Sequence, residues 1–182
     1  TPAGVVPIVP AAILFDLHTA TRRPDAAMGQ LAAESASSGA LGEGRVGAGT
    51  GARVGAASGV VAPGGFGTWA EDVPGGSVVA AGVAVNALGS VVDPSTGEIV
   101  AGGPPLTPML TAGIWRGQTT LAVVVTDVPL DRAQCTVVAR MATAGLARTL
   151  YPAFTPFDGD IVFVASTGAG SGTPPERIAA VG

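Results

Sequence analysis

A chain of 182 residues suits one ordinary domain, large enough to bury a core. Its formal charge of −4 and pI near 4.7, with no basic patch, argue against a nucleic-acid partner. All nine cationic residues are arginine, which excludes a Schiff-base lysine, a phosphate-loop lysine and a Ser-Lys dyad; the single cysteine, Cys135, excludes an intrachain disulfide, and the single histidine, His18, leaves no Cys/His zinc site.

The start, Thr1-Pro2-Ala3-Gly4-Val5-Val6-Pro7, lacks the charged-then-apolar plan of a signal peptide. Residues 5–17 are apolar and punctuated by proline, which predicts extended segments passing through a core. His18 has no serine or cysteine partner in any motif and reads as a surface or satisfied core histidine. Residues 25–37 follow Arg23-Pro24, are rich in alanine, and predict a short helix with Asp25 near its N-terminus. From 39 to 67 glycine recurs every two or three residues. Such a composition suits a linker, but Val46, Val54, Val60 and Val61 predict strands lying close against another backbone. Within this region Gly42-Glu43-Gly44-Arg45-Val46-Gly47 matches the dinucleotide pattern Gly-x-Gly-x-x-Gly. No strand pattern precedes it and no helix pattern follows it, so it reads as a chance match.

Residues 77–86 form a clear strand ending in Asn86, which is either a turn former or an oxyanion donor. Leu88-Gly89 predicts a turn, 90–93 a return strand, and Pro94-Ser95-Thr96-Gly97 another turn. The Pro/Gly/Thr-rich stretch 102–117 predicts an exposed loop. It leads to Gln118 and then to Thr119, which opens a buried strand of β-branched and apolar residues. Helical spacing runs through 130–150 at Ala133, Val137, Met141, Ala144 and Arg148. Asp158-Gly159-Asp160 then precedes a second apolar strand, 161–165. A Gly/Ser loop over 168–173 is followed at 174–181 by the first turns of a helix. No apolar stretch approaches the roughly 20 residues of a membrane span. The order is mixed α+β, with no repeating βαβ unit.

Two readings stay open for the chemistry. Thr119 is either a good strand residue or the nucleophile of an amide hydrolase that cuts its own chain and uses the freed α-amine as base. Asp158 and Asp160 are either a solvated turn or two carboxylates on one face, set to hold a threonine hydroxyl and ammonium. Two carboxylates alone make a poor cation site.

Six segments in order decide between these readings: 4–17, 46–53, 85–94, 119–124, 145–149 and Asp158-Gly159-Asp160. Together they resemble the DmpA-type peptidase family, which includes β-aminopeptidases and nylon-oligomer hydrolases. The resemblance runs over nearly the whole chain. It implies an αββα sandwich of the N-terminal-nucleophile type, incomplete at both ends of this chain. It also implies a precursor that cleaves itself into a large and a small subunit, here 1–118 and 119–182, usually assembled as tetramers of processed heterodimers.

A threonine nucleophile with Asp-Gly-Asp downstream is most similar to the nylon-hydrolase branch; β-aminopeptidases use serine with a Ser/Glu pair. Carried over, Thr119 is the nucleophile, Asp158 and Asp160 orient and activate it, and Asn86 steadies the oxyanion. The implied substrates are short peptides or oligoamides, with no cofactor and no metal, in a cytoplasmic protein. Three departures stand out. Gln118 occupies the place of the family's usual asparagine before the cut. No lysine follows Gly51-Ala52-Arg53, where the nylon-hydrolase branch has one. An N-terminal portion and a C-terminal helix of the family domain are also missing. These departures favour the competing expectation, a processing-impaired homologue that binds or assembles without hydrolysing.

Overall fold

The computed structural model describes residues 4, 7–17, 22–105, 117–170 and 172–182. His18 and most of the expected loop at 102–117 lie outside the described residues. The framework is a four-stranded sheet. Strands β3 (Gly65–Val73) and β4 (Ser77–Asn86) form a hairpin, turning through Gly75 and Gly76 at φ 94° and 73°. A side chain is disfavoured at both φ values, so two glycines in succession let the chain reverse here. Strand β4 pairs antiparallel with β7 (Thr119–Thr126), and β7 runs parallel to β9 (Ile161–Ser166), giving the order β3-β4-β7-β9. A parallel pair needs a long crossover. Here it is helix α2 (Arg132–Thr149).

Helix α2 begins with a reciprocal cap. The Asp131 carboxylate accepts from Gln134 N at 2.8 Å, and the Gln134 side chain accepts from Asp131 N at 2.9 Å. The helix lays Val138 over one sheet face, where Val138, Val73, Val124, Val128 and Val181 form a buried cluster. Val181 comes from the short helix α3 (Pro175–Val181), whose Arg177 donates to the Ser77 hydroxyl. Alternation along β7 explains the one-sided cover: Thr120, Ala122, Val124 and Thr126 are buried, and they point toward the helices.

The opposite face is open and apolar. It presents Phe66 and Ala70 from β3, Ala80 from β4, Leu121, Val123 and Val125 from β7, and Phe163 from β9. Val123 is 43% exposed and Val125 37%. Contiguous apolar faces of this kind favour association in water. The 182 residues expressed alone should therefore elute ahead of a monomer on size exclusion and take up a hydrophobic dye. A sharp monomer peak without dye uptake would contradict this.

Two expectations change at the other end of the molecule. Strand β5 (Ser90–Val92) does not return along β4. It pairs with β6 (Ile99–Ala101) and β8 (Leu150–Tyr151) in a separate three-stranded sheet. A Cβ at Gly89 would collide with the Pro152 carbonyl, so the turn runs tightly beneath the segment after α2 and carries the chain away from β4. The glycine-rich region holds less strand than expected. Before β3 begins at Gly65, only β1 (Arg53–Val54) and β2 (Ala62–Pro63) form as strands, beside 3-10 turns at Gly47–Gly49 and Ala56–Ser58. Of the four valines, Val54 alone is buried. Close backbone approach is nonetheless real: a Cβ at Gly64 would strike the Val85 carbonyl, and one at Gly49 the Gly44 carbonyl. Helix α1 (Ala26–Glu34) forms where expected, capped by the Asp25 carboxylate accepting from Met28 N at 2.8 Å. Among the described residues, no helix is long and apolar enough to cross a membrane.

Candidate active site

Strand ends bring the sequence-predicted residues together. Asn86, the last residue of β4, is the register partner of Thr119, the first residue of β7. One residue earlier, Gln118 bridges Asp158 in the parallel sense, just before β9. Gln118, Thr119, Asn86, Asp158 and Asp160 therefore meet at one end of the sheet.

Thr119 is buried. Its hydroxyl donates to the carbonyl oxygen of Gln118 at 2.7 Å. Gly159 N donates to the same oxygen at 2.9 Å. A Cβ at Gly159 would stand 2.8 Å from Thr119 Oγ1, too close to be accommodated unless the hydroxyl moved. The carbonyl oxygen of the Gln118–Thr119 peptide thus accepts from two donors, the Thr119 hydroxyl and Gly159 N.

The two carboxylates differ in what they hold. Asp160 Oδ1 accepts from Thr120 N at 2.6 Å and Oδ2 from Phe154 N at 3.0 Å. It ties the start of β7 to the loop after α2. Phe154 sits at φ 52°, a left-handed conformation uncommon for a bulky residue. Asp158 Oδ2 accepts from both the backbone N and the hydroxyl of Thr155, at 3.1 and 2.9 Å. Burial raises the Asp158 carboxyl above its ordinary value, and the neighbouring Asp160 charge adds to the rise. The hydrogen bonds of Asp158 and Asp160 run to the backbone and Thr155; that of the Thr119 hydroxyl runs to Gln118.

Asn86 is wholly buried and fully engaged. Its Oδ1 accepts from Arg53 N at 3.0 Å; its Nδ2 donates to Phe15 O at 3.0 Å and to Gly117 O at 3.3 Å. An amide nitrogen has two hydrogens, and here both serve backbone carbonyls. Gly117 adopts φ 93°, and a Cβ there would overlap the Phe15 ring. Sequence reasoning missed Gly159, Thr155, Phe154 and Phe15. Asp-Gly-Asp drew attention to its two carboxylates, while the glycine between them touches the threonine. Two buried oxygens, Gln118 Oε1 and Thr120 Oγ1, have no hydrogen-bond partner among the described residues. Where the lysine is missing, Ser58 donates its hydroxyl to Gly55 O at 2.7 Å and closes a 3-10 turn. Among the described residues, no group of acidic, histidine or cysteine side chains is arranged to hold a metal ion.

Residues 1–180 match the sequence model of peptidase family S58. A Mycobacterium leprae protein named as an uncharacterized aminopeptidase is 42% identical over 193 residues, which is 91% of this chain and 51% of the relative. A counterpart in Mycobacterium tuberculosis strain H37Rv is 40% identical, covering 96% of this chain and 54% of its own length. The chain thus spans about half the length of the curated relatives it matches. Among solved structures, a β-aminopeptidase from a Burkholderia species superposes with a TM-score of 0.59 at 26% identity, over 87% of this chain and 47% of that one. The L-aminopeptidase D-Ala-esterase/amidase of Ochrobactrum anthropi, described as a variant of the Ntn hydrolase fold, gives 0.56 at 25% identity, over 78% and 37%.

Proposed function

The chain belongs to peptidase family S58, and we propose that it is part of a self-processing amide hydrolase with Thr119 as nucleophile. The observation that carries this reading is the buried Thr119 hydroxyl, 2.7 Å from the carbonyl oxygen of the residue before it. Oγ1 attacks the Gln118 carbonyl carbon, the chain passes through an ester, and water opens it. The freed α-amine of Thr119, with an ordinary pKa of roughly 8, is then the general base for substrate attack. With Gln118 a free chain end, withdrawal of Gly117 releases one Asn86 N–H, which becomes available to a substrate oxyanion. Asp160 fixes the strand start that carries the nucleophile, and Asp158 shapes the loop beside it. An acyl-enzyme forms and is hydrolysed.

Short peptides or oligoamides of the nylon type are the substrates of this reading, and a tetramer of processed heterodimers in the cytoplasm is its setting. A sole cysteine is in keeping with that compartment. N-terminal sequencing of the smaller fragment of the purified full-length protein tests the reading. The fragment should begin Thr-Thr-Leu-Ala-Val, and any other start would sink the assignment.

A second reading, a homologue that assembles but does not process, is favoured by Gln118. Its side-chain oxygen is buried without a partner where the family resemblance implies a shorter asparagine. An intact mass that stays that of one chain through prolonged incubation supports it.

A further inference from the structure

We infer that the backbone N–H of Gly159 is the oxyanion donor for self-cleavage, and that this donor is distinct from the one serving substrate. The inference rests on the self-processing reading above.

A peptide carbonyl under attack gathers negative charge on its oxygen, and a donor already aimed at that oxygen lowers the barrier. Asn86 cannot fill this role in the uncut chain. Both of its Nδ2 hydrogens are held by the carbonyls of Phe15 and Gly117. The Gln118 oxygen instead accepts from Gly159 N at 2.9 Å, on the very carbonyl that Thr119 Oγ1 approaches. The donor itself needs no particular side chain, but the space beside it calls for glycine. Any Cβ would press on Oγ1 at 2.8 Å and turn the nucleophile away. One residue thus supplies the donor and leaves room for the attacking atom.

The step balances within the chain. The Oγ1–C bond forms as the carbonyl pair moves onto the Gln118 oxygen, where the Gly159 N–H meets it. That pair then returns, the bond between Gln118 C and Thr119 N breaks, and the Oγ1 proton ends on the departing nitrogen. Water adds to the ester carbon, leaving a Gln118 carboxylate and restoring the Thr119 hydroxyl. The cut also makes Gln118 a chain end, and withdrawal of Gly117 with that end releases one Nδ2 hydrogen of Asn86 for the second reaction at the same hydroxyl.

The alternative is that the Gly159 bond merely extends the β7–β9 ladder, a structural role that would show in stability and not in cleavage. Replacing residue 159 by glycolic acid in the full-length protein turns the donating N–H into an ester oxygen. Self-cleavage should slow about 100-fold, with the thermal melt shifted by only a few degrees. Gly159→Ala keeps the N–H and is compatible with the local backbone, and it should slow cleavage at least as much by displacing Oγ1. Gly67→Ala, in open space on β3, should cleave at the parent rate. Parent-rate cleavage in the glycolate variant overturns the inference; should that variant fail to fold, amide hydrogen exchange of the uncleaved Thr119→Ala protein decides, and a Gly159 N–H exchanging as fast as an open amide overturns it. A parent protein that never cleaves overturns the self-processing reading itself, and this inference with it.

Discussion

Thr119→Ala is expected to leave the full-length protein as a single chain with no amide hydrolysis. The alanine removes the one hydroxyl lying against the Gln118 carbonyl, and losing a covalent nucleophile costs on the order of 10⁶ in rate in a comparable hydrolase. Folding should survive, since Ala fits where Thr119 now sits and the β4–β7 register does not depend on the hydroxyl. Thr119→Ser should still cleave. The neighbouring residue is the control. Thr120 is fully buried and its hydroxyl has no hydrogen-bond partner among the described residues. Burying an unsatisfied hydroxyl costs about 1–3 kcal/mol, so Thr120→Val should cleave normally and melt no lower than the parent. Mass spectrometry beside a thermal melt reads all three. Cleavage in Thr119→Ala, or its loss in Thr120→Val, would move the nucleophile elsewhere.

The two aspartates should separate when each is changed to asparagine. Asp158 uses one oxygen to accept both Thr155 donors, which an asparagine oxygen can still do. Its carboxyl is raised by burial and then by Asp160, so the folded state disfavours its charge. Below the ordinary value near 3.8 it is protonated in both states and adds nothing. As pH rises from there through the raised folded value, the folded state holds more protons than the unfolded one, and stability falls. Asp158→Asn removes that loss. The variant should be at least as stable as the parent at pH 7, yet poor in turnover.

Asp160 places a different backbone donor on each oxygen. Asparagine offers only one acceptor, and its NH₂ would face a second N–H. Asp160→Asn should therefore lose about 1–3 kcal/mol as well as activity. Denaturant melts at pH 4 and pH 7, paired with amide turnover, distinguish the two. Equal destabilisation of both variants would contradict these separate roles.

Local pattern was enough for the elements that frame the site. β-Branched runs marked β4, β7 and β9, and helical spacing over 130–150 placed α2, whose cap at Asp131 falls inside that range. Thr119, Asn86 and the acidic pair stood out because each sits at the end of such a run. What stayed hidden depends on distant partners. The Asn86 side chain is held by Phe15, which lies 71 residues away. β5 looks like the return arm of a hairpin until the Pro152 backbone is placed across Gly89. Gly159 reads as an ordinary turn glycine until Thr119 is set against it. Strand β3 was missed because glycine and mixed polarity blur its alternation.

The position of the Gln118–Thr119 bond also fixes an order of events. It lies one residue before an unbroken ladder, Asn86 with Thr119 through Val79 with Thr126. Strand β7, on the later fragment, is sandwiched between β4 of the earlier fragment and β9 of its own. A cut there severs the chain without opening the sheet, so the fragments part only by unfolding. An uncut molecule refolds by itself at any dilution. A cut one needs two separate pieces to find each other, without the local concentration their tether once provided. Cleavage would thus turn a reversible folding reaction into a one-time event, and the cut protein would persist by slow unfolding rather than by equilibrium.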